Sequence, residues 1–135
     1  MNILFFLTPK SEVEFAYNDD TVESVMDHLE KSTYTAIPII NHKGEYKGTV
    51  SEGDLLWFFR DESETPWDEL YKCKISKIAS KRIHKPVKAD AKIKDLVNRA
   101  MKQNFVPVID DDDVFIGIVK RRDILSYYFE KAESS

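Results

Sequence analysis

The sequence carries one stretch twice, first as Ile37-Pro38-Ile39-Ile40 leading to Gly48-Thr49-Val50-Ser51-Glu52-Gly53-Asp54, and again as Val106-Pro107-Val108-Ile109 leading to Gly117-Ile118-Val119-Lys120-Arg121-Arg122-Asp123. Proline, glycine, valine and aspartate recur at a constant separation of 69 residues, without a gap, over about twenty positions. Self-similarity at a fixed separation is the signature of a duplicated structural unit. The sequence therefore predicts two related repeats.

Each stretch is preceded by the apolar spacing of an amphipathic helix. Apolar residues recur at i, i+3, i+4 and i+7, first as Val22, Val25, Met26 and Leu29, and then as Ile93, Leu96, Val97 and Ala100. Asp20 or Thr21 is placed to cap the first helix and Asp90 the second, because a short polar side chain can accept a hydrogen bond from a free backbone N–H.

Short apolar runs at residues 36–40 and 105–109 are typical of buried strands. A polar turn follows each run, and after it a second strand is predicted, at residues 46–50 and at residues 114–119. A second helix is expected from just after Ser51 to about Phe59, and its counterpart from about Arg121 to Phe129. With a short leading strand near residues 13–17 or 83–87, each repeat reads βαββα, and the fold class is α+β.

We expect the repeats to occupy residues 8–60 and 81–131, joined by a linker at residues 61–80. The linker contains a polar and proline-bearing segment, residues 63–66, and a short helix is expected at residues 67–71. Neither half is large enough to bury a sufficient core alone. The two repeats are therefore predicted to pack pseudo-symmetrically as one unit.

The composition indicates a folded, soluble protein, since 42% of the 135 residues are hydrophobic and 33% are charged. The longest apolar run, residues 3–7, is too short for a membrane span or a signal peptide, and we expect it to pack on the two-repeat unit or on a dimer partner. Cys73 is the only cysteine, which excludes an internal disulfide and a thiolate metal cluster. The expected location is the cytoplasm.

The net charge of −4 conceals an asymmetry between the two halves. Residues 1–67 carry 5 basic and 13 acidic side chains, whereas residues 68–135 carry 15 basic and 11 acidic ones. An acidic chain is a poor general binder of nucleic acid. The basic half can still hold a small anionic ligand.

The duplicated pattern resembles the cystathionine-β-synthase (CBS) domain, and the chain is similar to a stand-alone tandem pair, or Bateman module. The resemblance rests on the apolar-Pro-apolar strands and on the signature Gly-x-x-Ser/Thr-x-x-Asp/Asn. The first repeat has the whole signature, from Gly48 to Asp54, while the second has Lys120 where the hydroxyl belongs. The resemblance covers the chain from about Thr8 to Lys131.

This resemblance implies a non-enzymatic regulatory module. Such a module binds an adenosine derivative (AMP, ADP, ATP or S-adenosylmethionine) in the cleft between the repeats and signals by a conformational or dimer shift. No cofactor, metal, nucleic acid or membrane is expected as a partner, whereas a homodimer through the CBS helices and an unidentified target protein are. The segments 34–38, 104–106 and 120–122 also resemble small bacterial CBS proteins that bind cyclic di-AMP.

Asp54 and Asp123 fall at the start of a predicted helix, directly after a strand. A carboxylate at this point can accept both hydroxyls of a ribose, and the free N–H groups of the helix can bind phosphate. Ser51 can add a hydroxyl donor. The alternative is that both aspartates only cap their helices. Recurrence of the whole signature favours ribose contact in at least one repeat.

The basic run Lys120-Arg121-Arg122 is the sharpest electrostatic feature. Guanidinium groups match phosphate oxygens bidentately. Cations at a helix N-terminus oppose its dipole, a local conflict that favours a functional role over a solvated helix start. We expect a phosphate-rich ligand to be anchored mainly by the second repeat, and the first repeat, where Glu52 repels phosphate, to form a weaker site.

The base pocket is implied by the resemblance, which places the adenine beside Ala36 and Phe105 and beside the short first strands near Val13 and Ile83. Phe105 either stacks on the base or belongs to the core. Further residues that the resemblance places at the ligand are Ile37, Pro38, Thr49, Val106 and Pro107. Cations that precede the first strands, and could reach phosphates, are Lys10, Lys81 and Arg82.

A different class of function is a ligand-free interaction module that contacts its partner through Trp57, Phe58 and the N-terminal apolar segment. The aromatic helix ends at residues 57–59 and 127–129 suit a dimer interface, because clustered exposed aromatics usually have a partner surface. An enzyme is disfavoured, since no nucleophile–base pair or metal cluster is visible. The acidic residues 110–113 favour a solvated turn over a calcium loop.

Overall fold

The computed structural model describes residues 1–79 and 84–134. In chain order the strands are β1 (Leu7–Pro9), β2 (Ala16–Tyr17), β3 (Ala36–Ile40), β4 (Tyr46–Ser51), β5 (Val87–Lys88), β6 (Phe105–Ile109) and β7 (Phe115–Lys120). The helices are α1 (Val22–Lys31), α2 (Glu52–Asp61), α3 (Trp67–Tyr71), α4 (Ser76–Ala79), α5 (Ile93–Ala100) and α6 (Arg121–Ser134), and short 3-10 helices cover Ile3–Phe6 and Lys10–Glu12. The fold class is α+β, as the sequence predicts.

The elements form two compact units, Glu14–Ile83 and a second one made of Met1–Val13 with His84–Ser135. We call them the first and the second unit. The first unit contains the sheet β2-β3-β4 and the second the sheet β1-β7-β6-β5. In both units a two-residue strand pairs in parallel with the buried Pro-containing strand, and that strand pairs antiparallel with the next one. The residue limits assigned to the repeats remain a prediction.

The periodicities locate the main elements well. The strands β3 and β6 and the helix α3 have the predicted bounds. The side chain of Thr21 caps α1 by accepting a hydrogen bond from the Ser24 N–H at 3.1 Å. The proposed Asp90 cap is wrong, because α5 begins at Ile93 and its N-cap is Lys92, two residues after Asp90; the Lys92 side chain makes no capping bond.

The first unit completes its core with the segment that follows α2. Leu70, Ile75 and Ile78 from this segment are buried among the apolar faces of α1, α2, β3 and β4. The segment is also tied to the turn before α1, since Ile75 donates its N–H to Asp20 O at 2.8 Å and Val22 donates to Cys73 O at 2.8 Å. The predicted linker is therefore part of a packed unit rather than a free connection.

The second unit completes its sheet and core with the N-terminal arm, Met1–Val13. Strand β1 pairs antiparallel with β7, with Leu7 opposite Val119 and Pro9 opposite Gly117. Ile3 and Phe6 are buried in the apolar cluster of this unit, with residues of α5, β6 and α6. The predicted packing of residues 3–7 on the protein itself is thus confirmed for these two side chains.

None of the helices within residues 1–79 and 84–134 is long and apolar enough to cross a bilayer.

Candidate functional site

The start of α2 in the first unit is closed by a capping box. Ser51 Oγ accepts a hydrogen bond from the Asp54 N–H at 3.0 Å, and Asp54 Oδ2 accepts one from the Ser51 N–H at 3.0 Å. The Asp54 side chain is buried, with 8% of the residue exposed. Ser51 and Asp54 thus cap α2, and one carboxylate oxygen of Asp54 accepts a backbone hydrogen bond.

The start of α6 in the second unit differs at the same two positions. Lys120 stands in the place of Ser51, and an ammonium group cannot accept the hydrogen bond that a cap requires. Asp123, in the first turn of α6, is half-exposed, and its carboxylate accepts no hydrogen bond from any residue in the described part of the chain. The same motif thus yields an engaged, buried aspartate in one unit and an available one in the other.

Arg121 joins the start of α6 to the end of α5. Its Nε donates to the Ala100 carbonyl at 2.6 Å, and its backbone N–H donates to Asn104 O at 2.9 Å. A cation at a helix C-terminus is favoured by the helix dipole, so this contact has a structural role. Arg121 also lines an apolar groove of about 270 Å³ with Val97, Ala100, Met101, Ile124 and Leu125. The next cation, Arg122, is exposed and extends from the first turn of α6.

Phe105 lies beneath a second ring. Only 1% of Phe105 is exposed, and the imidazole of His84 stacks on its ring with centroids 5.4 Å apart and an interplanar angle of 19°. Phe105 pairs with Lys120 in the register of β6 and β7, so the stacked rings belong to the same end of the sheet as the start of α6. The sequence predicts a ligand role for Phe105 but gives no sign of the ring that covers it.

The predicted site residues of the first unit either have small side chains or are already buried or hydrogen-bonded. Ala36 takes the place of Phe105 and pairs with Ser51 in the register of β3 and β4. Ile37 and Pro38 are buried, as are Val106 and Pro107 in the second unit. Thr49 Oγ1 and the Tyr46 hydroxyl share a hydrogen bond of 2.7 Å, and burial raises the pKa of Tyr46 above its usual value.

The structure describes only some of the first-strand residues and preceding cations that are predicted to lie at the ligand. Val13 donates its N–H to Lys10 O at 3.1 Å, at the end of the 3-10 helix Lys10–Glu12. This helix packs against β7, so Lys10 and Val13 belong to the second unit although they precede the first repeat's motif. Because β1 runs antiparallel to β7, Lys10 follows the end of β1 that is remote from Arg121. The predicted site residues Lys81, Arg82 and Ile83 lie outside the described residues.

The aromatic residues assigned to an interface divide into two groups. Phe58 is 7% exposed and packs in the core of the first unit, so its assignment to a contact surface is wrong. Trp57 is exposed and carries the Arg60 guanidinium 4.9 Å from its ring centroid. Tyr128 and Phe129 are also exposed.

The histidines of the first unit pair with carboxylates. His28 Nδ1 lies 3.0 Å from Glu14, and His42 Nε2 lies 2.8 Å from Asp19. The hydrogen bond from His42 holds the pKa of Asp19 below its usual value. Within residues 1–79 and 84–134, no three histidine, cysteine or acidic side chains are grouped as a metal site would require.

Three solved structures share this fold at low sequence identity. CbpB of Listeria monocytogenes in complex with c-di-AMP aligns with a TM-score of 0.82 and 20% identity over 98% of this chain and 98% of that one. A hypothetical conserved protein from Geobacillus kaustophilus aligns with a TM-score of 0.88 and 22% identity, covering 97% and 98% of the two chains. CBSX2 in complex with AMP aligns with a TM-score of 0.77 and 20% identity, with the same coverage.

The sequence itself matches the CBS domain profile twice, over residues 7–61 and 75–130. No curated protein matches the chain. The two profile matches cover most of the sequence and coincide with the duplicated motif. The chain therefore belongs to the CBS domain family and has the fold of a tandem CBS pair, or Bateman module.

Proposed function

We propose that this protein is a non-enzymatic regulatory module that binds an adenine nucleotide at the second repeat. The observation that carries the proposal is the state of Asp123. Its carboxylate is half-exposed and accepts no hydrogen bond from the described residues, whereas Asp54 at the equivalent position is buried in a capping box. A carboxylate without a partner at a helix start is free to accept the two hydroxyls of a ribose.

The surroundings of Asp123 suit the phosphate part of a nucleotide. The start of the 14-residue helix α6 and the positive end of its dipole favour an anion. The N–H of Arg121 is already bonded to Asn104 O, which leaves the N–H groups of the next residues for that role. Arg122 is exposed beside them, and a guanidinium binds phosphate oxygens in pairs. Arg121 is held by the Ala100 carbonyl through Nε, so we assign the larger phosphate contribution to Arg122 and a smaller one to Arg121.

The first repeat is proposed to be the weaker site. Asp54 has one carboxylate oxygen committed to the backbone, and Glu52 replaces Arg121 with a negative charge. A ligand at this repeat would meet a less basic helix start. The charge asymmetry of the two halves thus corresponds to unequal occupancy, with AMP, ADP or ATP bound mainly at α6.

Cyclic di-AMP is the second candidate ligand. CbpB of Listeria monocytogenes, which has the same fold, is solved in complex with c-di-AMP, and CBSX2 is solved in complex with AMP. The run Lys120-Arg121-Arg122 carries enough positive charge to pair with two phosphate groups. Signalling by a conformational or dimer shift requires a different nucleotide affinity in the two states. A homodimer, a target protein and a cytoplasmic location belong to the same proposal.

Calorimetry with AMP, ADP, ATP, S-adenosylmethionine and cyclic di-AMP tests the function. We expect heat with at least one adenine nucleotide, and Asp123→Asn should weaken its binding about tenfold or more, since hydrogen bonds to a charged group contribute about 1.5–3 kcal/mol. Asp54→Asn is the matched control at the equivalent position and should change the main affinity by less than about threefold.

Two results would contradict the proposal. If none of the five compounds gave heat, a ligand-free interaction module would be the better description. If Asp54→Asn weakened binding while Asp123→Asn did not, the nucleotide site would belong to the first repeat.

A further inference from the structure

We infer that three aromatic residues of the first unit, Phe59, Trp67 and Tyr71, form a surface that docks a basic segment of a partner protein. We call these three residues the aromatic surface. Phe59 belongs to α2 and the other two residues to α3. Docking at this surface does not require the nucleotide site proposed at Asp123, which belongs to the second unit.

The three rings contact one another and leave the indole of Trp67 open to solvent. The ring centroids are 5.7 Å apart for Phe59 and Trp67, 6.0 Å for Phe59 and Tyr71, and 6.1 Å for Trp67 and Tyr71. Rings at these separations touch directly, so they form a continuous surface with no room for a cation between them. Trp67 is 67% exposed, whereas Phe59 and Tyr71 are half-buried.

The indole of Trp67 is held in place before any partner binds. Leu70, on the same short helix, is 2% exposed and packs in the core of the first unit, which fixes α3 against α1 and α2. The rings of Phe59 and Tyr71 support the indole from two sides. A side chain that is already ordered loses little freedom on binding, and tryptophan is enriched among the residues that contribute most to protein–protein affinity.

The part of the chain that carries the aromatic surface is strongly acidic. Residues 52–71 contain seven acidic side chains and one basic side chain, that of Arg60. The acidic residues that follow Phe59 are all exposed, and they are Asp61, Glu62, Glu64, Asp68 and Glu69. None of these five forms an ion pair with a lysine or arginine in the described part of the chain. Because this negative charge is not balanced within the chain, a partner of complementary charge must be basic.

Two of the acidic residues lie next to the rings. Asp68 is three residues before Tyr71 on α3, and Glu62, the C-cap of α2, is three residues after Phe59. Residues three or four apart are neighbours on the surface of a helix. A basic side chain that reaches Asp68 or Glu62 would therefore also contact the aromatic surface.

A cation over an indole is a contact that this chain already makes nearby. The guanidinium of Arg60 lies 4.9 Å from the ring centroid of Trp57. An arginine of the partner could lie over the exposed face of Trp67 in the same way, with its N–H groups directed to the carboxylates. Apolar residues beside that arginine would cover the remaining ring surface. The fitting occupant is thus a segment in which basic and apolar residues alternate.

Fluorescence tests the contact directly, because Trp57 and Trp67 are the only tryptophans. In the Trp57→Phe variant Trp67 is the sole tryptophan. A short synthetic peptide of alternating arginine and leucine should shift its emission to shorter wavelength and protect it from quenching by acrylamide. An analogue with glutamate in place of arginine, and another with serine in place of leucine, should do neither at the same concentration.

The affinity of the labelled arginine–leucine peptide, measured by anisotropy, tests the indole. Trp67→Ala should weaken binding about tenfold, as expected for a central interface tryptophan, and Trp67→Phe by no more than about threefold, because it keeps an aromatic ring. Phe129→Ala is the matched control. It removes a ring that is 64% exposed in the second unit and should change the affinity by less than about twofold.

The same measurement separates local charge from net charge. Glu62→Gln combined with Asp68→Asn should weaken binding about fivefold, the size of two exposed ion pairs. Asp111→Asn combined with Asp112→Asn removes the same charge from the exposed turn between β6 and β7 and should change the affinity by less than about twofold.

Four results would overturn the docking surface: no binding of the arginine–leucine peptide, an unchanged affinity in Trp67→Ala, equal losses in the two double variants, or equally tight binding of the serine analogue. Sedimentation of the wild-type protein without peptide covers the other occupant. Self-association that Trp67→Ala abolishes would assign the aromatic surface to a second copy of this chain instead. AMP binding at Asp123 is measured separately, so each of these results leaves the proposed function intact.

Discussion

The two units are built from the same motif but differ at the start of the helix that follows it. In the first unit the side chains of Ser51 and Asp54 each accept a hydrogen bond from the other residue's backbone N–H, and the aspartate is buried. In the second unit Lys120 cannot cap, and Asp123 is left half-exposed beside cations. The two copies of the motif thus differ in whether the aspartate is bonded to the backbone, and they differ at the capping position, which is Ser51 in one and Lys120 in the other.

The units also differ in what completes their cores. The first draws Leu70, Ile75 and Ile78 from the segment after α2. The second draws Ile3 and Phe6 from the N-terminal arm, which also adds strand β1 to its sheet. A repeat of this size buries too little apolar surface alone, so each recruits chain from outside its own motif.

The largest change in the free energy of unfolding is expected from removing the buried ring of Phe6 in the N-terminal arm. Phe6 is 6% exposed within the core of the second unit, and Phe6→Ala should lower the free energy of unfolding by about 3–5 kcal/mol, the usual range for a buried aromatic. The adjacent Phe5 is 65% exposed, so Phe5→Ala should cost about 1 kcal/mol or less. Urea denaturation followed by circular dichroism measures both. Equal losses would mean that the arm does not belong to this core.

A smaller effect is expected where β1 meets β7. Gly117 has a φ of 154°, and a Cβ at this position would clash with the carbonyl oxygen of Thr8. Gly117→Ala should therefore lower the free energy of unfolding by about 2 kcal/mol, through backbone strain and displacement of β1. Gly53 lies in α2, where an added Cβ would meet Ser51 Oγ at an ordinary contact distance of 3.6 Å. Gly53→Ala is the control and should cost little in the same urea titration, so equal losses in the two variants would contradict the clash with Thr8.

Local patterns in the sequence predict the elements but not their partners. The period of α1 and the apolar runs of β3 and β6 are local, and these elements form where they are expected. Strand β1 has three residues, and its partner β7 begins more than a hundred residues later, so no periodicity links them. The motif alone likewise did not reveal that Asp54 and Asp123 differ. That difference follows from Lys120, which was visible in the sequence.

A lone histidine such as His84 carries no local sequence signal for stacking on a core aromatic. Its partner Phe105 is 21 positions away, and the contact depends on the side-chain bonds of Gln103. The separation of 71 residues between the leading helices gives His84 the position that Val13 has before the first repeat. The buried Phe58 shows the converse problem, since an aromatic near a helix end looks the same in sequence whether it packs inward or outward.

The smallest change in the free energy of unfolding is expected from substitutions at the two capping positions, residues 51 and 120. Ser51→Ala removes the acceptor for the Asp54 N–H and should lower the free energy of unfolding by about 1 kcal/mol. Lys120→Ser introduces a hydroxyl at the equivalent place, with Asp123 three residues later, and should raise the free energy of unfolding by up to about 1 kcal/mol by forming the same capping box.

The transplanted cap also tests whether the ligand role of Asp123 depends on its being unengaged. Once its carboxylate accepts the N–H of residue 120, Asp123 has less capacity for a ribose, so Lys120→Ser should weaken AMP binding. Lys120→Ala is the control, because it removes the same charge without supplying an acceptor. Calorimetry should therefore rank AMP affinity as wild type, then Lys120→Ala, then Lys120→Ser. If the serine variant were more stable yet bound AMP as tightly as the alanine variant, capping and ligand binding would be compatible, and the contrast between the two units would reduce to their charge.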